Sequence, residues 1–138
     1  MLKHVASILA SAVLLSACGQ QQVADPSAAQ EQAALAAYND LKAGQFDAFL
    51  AHLTPDLQKE FQDNPKVMKK FSYSIPDSEL KSKTLMVKSM VTQTNQPSEF
   101  KVSYEMAYPK NLVQYDVSFD KPNGSPQIQN FNIRVYGE

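Results

Sequence analysis

The stretch EFKVSYEMAY, Glu99 to Tyr108, decides the fold class of this chain. Phe100, Val102, Tyr104, Met106 and Tyr108 alternate with Lys101, Ser103 and Glu105, a period of two that puts apolar side chains on one face of an extended strand. After a turn at YPKN, Val113, Tyr115, Val117 and Phe119 alternate with Gln114, Asp116 and Ser118. The turn-rich DKPNGSP follows, and Phe131, Ile133 and Val135 then alternate with Asn130, Asn132 and Arg134. Upstream, KTLMVKSMVT has a mixed pattern and supplies a further strand. Links this short predict a four-stranded antiparallel meander, which needs a cover on its apolar face.

The preceding residues are the material for that cover. In DPSAAQEQAALAAYNDLKAG, Asp25 before Pro26, or Ser27 three residues before Gln30, opens a helix that Gly44 closes. Ala34, Leu35, Tyr38 and Leu41 recur at helical spacing as its buried stripe. A second helix is expected through FDAFLAHL, with Phe46, Phe49, Leu50 and Leu53 on one face. Thr54 before Pro55, and Asn64 before Pro65, are cap and first-position signals for two more. The expected fold class is therefore α+β, with N-terminal helices packed on the meander as a single domain over residues 28–138.

The start of the chain has another character. MLKHVASILASAVLLSA, residues 1–17, has Lys3 near its beginning, an apolar run from Val5 to Leu15 and small residues at its end, the pattern of a secretory signal. A run of this length falls short of the roughly 20 residues that a membrane-spanning helix needs. The sole cysteine, Cys18, follows at once, and a lone thiol forms no internal disulfide. LSAC resembles the bacterial lipobox. The resemblance implies cleavage between Ala17 and Cys18, a diacylglycerol on the Cys18 thiol and a membrane anchor. Gly19, where an Asp would signal inner-membrane retention in Gram-negative lipoproteins, implies the outer membrane, facing the periplasm. Residues 18–27 then read as the lipidated cysteine and a short polar tether.

Composition narrows the function classes. Thirteen Lys plus Arg against fourteen Asp plus Glu leave a formal net charge of -1, with no basic field to attract nucleic acid. His52 is the only histidine beyond the signal, and no HExxH, P-loop, GxGxxG or GxSxG pattern occurs. The carboxylates are scattered rather than set at ligand spacing, so neither a metal site nor a cofactor is expected. Asp47 and Asp56 each sit in a first helical turn, where the helix dipole is reason enough for a carboxylate. His52, at the edge of an apolar helix face, is open to a structural or a pocket role. Tyr104, Tyr108 and Tyr115 share the apolar strand face, so His52, Tyr104 and Tyr115 are the candidate pocket lining. The outward row Asn130, Asn132 and Arg134 reads as a solvated face or as a polar binding surface.

AYNDLKAGQFDAFLAHLTPDLQ, followed by SYEMAY, YDVSF and FNIRV in successive strands, resembles small bacterial envelope lipoproteins of the cystatin-like and NTF2-like type. That resemblance implies a roll of helices across a curved sheet but transfers no activity, since such rolls host enzymes, carriers and binding modules alike. No catalytic residue is assigned. The expected function is a non-enzymatic binding module for an envelope protein partner or a small ligand, of immunity or inhibitor type among others. The alternative is a small hydrolase or isomerase with its site inside the roll.

Overall fold

The computed structural model describes residues 22–137. The expected signal peptide, the Ala17–Cys18 cleavage site and lipid attachment at Cys18 lie outside the described residues. Four helices come first, α1 (Ala28–Lys42), α2 (Phe46–Leu50), α3 (Pro55–Asp63) and α4 (Pro65–Ser74). Four strands follow, β1 (Ser82–Val91), β2 (Glu99–Ala107), β3 (Asn111–Phe119) and β4 (Asn130–Gly137). They form one sheet in the order β1-β2-β3-β4, antiparallel at every pairing, so the chain is an α+β protein built on a meander.

Local chemistry sets the helix ends. Ser27 and Gln30 form a reciprocal capping box: the Gln30 amide donates to Ser27 Oγ at 3.2 Å, and the Ser27 amide donates to Gln30 Oε1 at 3.0 Å. At the other end Gly44 adopts φ 73°, a left-handed conformation that glycine enters without a Cβ penalty. The Gly44 and Gln45 amides turn back to Leu41 and Asp40 carbonyls at 3.0 and 2.8 Å, closing α1 in a Schellman motif. Thr54 Oγ1 accepts from the Leu57 amide, and Pro55 opens α3 at a position whose N–H would have no helical partner.

Four local expectations are corrected. α2 ends at Leu50 rather than Leu53, because residues 52–54 pair instead with Ile128: the Ile128 amide donates to the His52 carbonyl and the Thr54 amide to the Ile128 carbonyl, both at 2.9 Å. Leu35 is only half-buried, since the stripe of α1 that enters the core is Gln30, Ala34, Ala37, Tyr38 and Leu41. Asn64 makes no side-chain cap to α4; its Nδ2 donates back to the Glu60 carbonyl at the end of α3. Residues 22–27, expected to be polar tether, are partly packed on the domain: Val23 packs against the core, Pro26 is buried and Asp25 pairs with Lys88 Nζ at 2.5 Å.

One buried cluster draws on all four helices and on β2, β3 and β4. Phe100, Val102, Tyr104, Met106, Val113, Tyr115, Val117 and Phe119 all lie in it, as their alternation requires. Around Phe131 the rings of Phe49, Phe61, Phe71 and Tyr115 sit with centroids 5.0–6.3 Å away, tilted or edge-on. The mixed pattern of β1 has a cause in the backbone. A bulge between Leu85 and Val87 inserts Met86, so that Val87 falls opposite Ser103 and Lys88 opposite Val102. Met86 and Val87 are both left exposed.

Candidate functional site

Tyr104 and Tyr115 are brought together, but within the buried cluster. Their rings stack with centroids 6.1 Å apart, and each residue is 1% exposed. The Tyr115 hydroxyl donates to the Ala34 carbonyl at 2.7 Å, and the Tyr38 and Tyr108 hydroxyls share a hydrogen bond of 2.6 Å. Burial pushes all four phenols up, because a phenolate there would lose its hydration. Tyr104 rises to about 12, with the Glu31 carboxylate adding to the effect of burial. Its hydroxyl is buried and has no hydrogen-bond partner among the described residues. These tyrosines are neutral donors and ring surfaces at physiological pH, not bases.

His52 follows α2, and its Nε2 meets Asp40 Oδ2 at 2.9 Å. The two side chains are 27% and 25% exposed. This pair ties the end of α2 to α1, and His52 is thereby committed to Asp40 rather than to Tyr104 or Tyr115. Among the described residues, no group of three or more His, Cys, Asp or Glu is placed to hold a metal ion.

The opposite face of the sheet carries a different arrangement. Register puts Ser103, Asp116 and Asn132 in one row across β2, β3 and β4, with Lys101, Ser118 and Asn130 in the next. Asp116 Oδ1 accepts the Ser103 hydroxyl at 2.5 Å, and the Gln114 amide donates to both Asp116 oxygens at 3.1 and 3.2 Å. Asn130 Nδ2 on β4 donates to Glu99 Oε1 on β2 at 2.9 Å, a bond that crosses over β3 between them. These groups border an open crevice of about 540 Å³.

Ser118 lines this crevice and yet is 1% exposed, with a buried hydroxyl that has no partner among the described residues. Alternation correctly predicts that it points away from Val117. It is nevertheless not solvated, because side chains from both neighbouring strands close over the central strand. Beside the crevice lies an apolar pocket of about 250 Å³, bordered by Met86, Val87, Leu112, Tyr136 and, from the strand between, Tyr104. Ser103 and Gln114 border both spaces and join them.

The polar row Asn130, Asn132 and Arg134 was legible from alternation alone. The Ser103–Asp116–Gln114 network needs the β2–β3 register, and the apolar pocket needs the β1 bulge, neither of which one strand's pattern contains. Among the described residues no helix is long and apolar enough to cross a membrane. No family model, curated protein or solved structure matches this chain. The fold and the two sheet faces thus define a class: an α+β protein with a buried tyrosine core and an open, polar outer sheet face.

Proposed function

We propose that this protein is a lipid-anchored binding module of the bacterial cell envelope, a cystatin-like or NTF2-like roll whose helices lie across the meander. It is held by acyl chains on Cys18, on the periplasmic side of the outer membrane, and meets its ligand through the outer face of β2, β3 and β4. The observation that carries the reading is the contrast between the two faces. Tyrosines that would line a roll's interior are packed ring against ring, whereas the outer face carries an open crevice bordered by side-chain hydroxyls, amides and carboxylates. A non-enzymatic role accords with this, since the tyrosines of the interior are held neutral by burial.

Two measurements test the proposal. Mass spectrometry of the mature N-terminus from membranes should find diacylglycerol on Cys18, and Cys18→Ser should abolish it; an unmodified Cys18 in membrane-derived protein overturns the anchor. A photoactivatable residue in place of Asn132 should yield a crosslinked ligand in intact cells, while the same residue replacing Lys66 on α4 should not. Equal yields at the two positions would remove the outer face as the binding surface.

A further inference from the structure

The chemistry of the crevice, taken with the proposed binding role on which this step rests, narrows the ligand. Its walls carry two hydroxyls, Ser103 and Ser118, and three amides, Gln114, Asn130 and Asn132. Each of these both donates and accepts. The two carboxylates are engaged by neutral donors: Asp116 by Ser103 and Gln114, Glu99 by Asn130. Lys101 makes no ion pair among the described residues, and with two carboxylates bordering the same space its charge sets up no anion site. A surface of this kind suits a ligand that is uncharged and presents many hydroxyls, each able to give one hydrogen bond and take others.

The adjoining pocket supplies the complementary half. Tyr136, 52% exposed, and Leu112, Met86 and Val87 form an apolar surface that continues from the polar crevice through Ser103 and Gln114; Glu105 borders it, and Arg134 stands in the same cross-strand row as Glu105 and Gln114, so the charges along this path are of both signs. From Asn132 to Tyr136 along β4 is four residues, roughly 14 Å at 3.4 Å per residue. A chain of sugar rings matches both features, with C–H faces for the aromatic and aliphatic side chains and hydroxyl edges for the amides and carboxylates. A volume of about 540 Å³ lies within the roughly 300–1,000 Å³ of small-molecule sites.

We infer that the outer sheet face is an oligosaccharide-binding site. Hydroxyls of the ligand meet Asp116, Asn132 and the unsatisfied Ser118 oxygen, and a ring face rests on Tyr136. The Glu99–Asn130 bond, which spans β3 beside Ser118, opens to admit the hydroxyl that reaches Ser118. The ordinary alternative is that Ser118 is a small residue tolerated in a tight place. The two roles separate by experiment, because a buried hydroxyl without a partner costs the fold stability while contributing to a ligand.

The test uses the full mature protein in a zwitterionic detergent that lacks a sugar head group, titrated with cellotetraose and maltotetraose and, as a zwitterionic control, glycylglycine. Amide chemical shifts should move on the outer-face positions of β2, β3 and β4 with one of the tetrasaccharides, at an affinity of about 1 mM, and not with glycylglycine. Ser118→Ala should melt at the same temperature as the parent or higher and bind about tenfold more weakly. Asp116→Asn, which keeps the shape of the side chain, should weaken binding as well. The inference is overturned if neither tetrasaccharide moves those amides, if glycylglycine alone does, or if Ser118→Ala binds as tightly as the parent. If sugars fail while Asn132 still crosslinks a ligand in cells, the saccharide assignment falls and the binding-face proposal stands; if both fail, both fall.

Discussion

Gln30 is a glutamine with no exposed surface, and its amide holds the start of α1 to the loop between β3 and β4. Oε1 accepts from the Ser27 amide at 3.0 Å and the Asn123 amide at 3.2 Å. Nε2 donates to the Lys121 carbonyl at 2.8 Å and, more weakly, to the Ser125 carbonyl at 3.4 Å. Gln30→Ala removes three short hydrogen bonds of about 0.5–1.5 kcal/mol each and leaves a void where the amide stood. Lys121, Asn123 and Ser125 are exposed, so water re-solvates part of what is released and holds the total near 3 kcal/mol. That is a large share of the roughly 5–15 kcal/mol that stabilises a small domain. The expected fall in melting temperature is about 10 °C. Urea denaturation followed by circular dichroism measures the loss, and hydrogen exchange should show the Asn123 amide unprotected before the sheet opens. Gln30→Glu sharpens the test, because a carboxylate keeps both acceptor roles but faces the Lys121 carbonyl without a proton, and it should cost at least as much. A loss under about 1 kcal/mol for Gln30→Ala, with Asn123 exchange unchanged, would refute the idea that this side chain fastens loop to helix.

Two further outcomes follow from burial. Val117→Asp should cost several kcal/mol, because Val117 is 2% exposed within the apolar cluster and a carboxylate there has no partner; Ser118→Asp should also lower the melting temperature markedly, and a parent-like value would mean that the crevice does not close over β3. The buried tyrosines predict an alkaline limit: unfolded phenols titrate near 10 whereas the folded Tyr104 does so at about 12, with Tyr38, Tyr108 and Tyr115 also raised. Above pH 10 the unfolded state therefore binds fewer protons, so stability is intact below that value and falls as pH rises through the folded pKa, by about 3 kcal/mol from Tyr104 alone. Urea midpoints at about pH 9 and pH 11.5, with tyrosinate absorbance recorded alongside, measure it; coincident midpoints would mean that these phenols are not held neutral by the fold.

Period alone determined β2, β3 and β4, since a residue's side of the sheet is fixed by its parity along an extended chain, and Phe100, Tyr104, Val113, Val117 and Phe131 went to the core face for that reason. Caps and the left-handed Gly44 likewise act within a few residues, so the end of α1 was readable where it occurs and its start was narrowed to two positions, of which Ser27 is the cap. Three features required residues distant in sequence. Gln30 looked like a cap and is also a clamp on residues 91 to 95 positions away. The end of α2 was decided by Ile128, whose backbone groups pair with residues 52 and 54 in place of another helical turn. Ser118 had the parity of a solvent-facing residue, and it became buried only when β2 and β4 paired on either side of β3 and set Glu99 and Asn130 across it. Parity assigns a face, but the depth at which a side chain sits on that face belongs to its cross-strand neighbours, and register is a property of the assembled sheet.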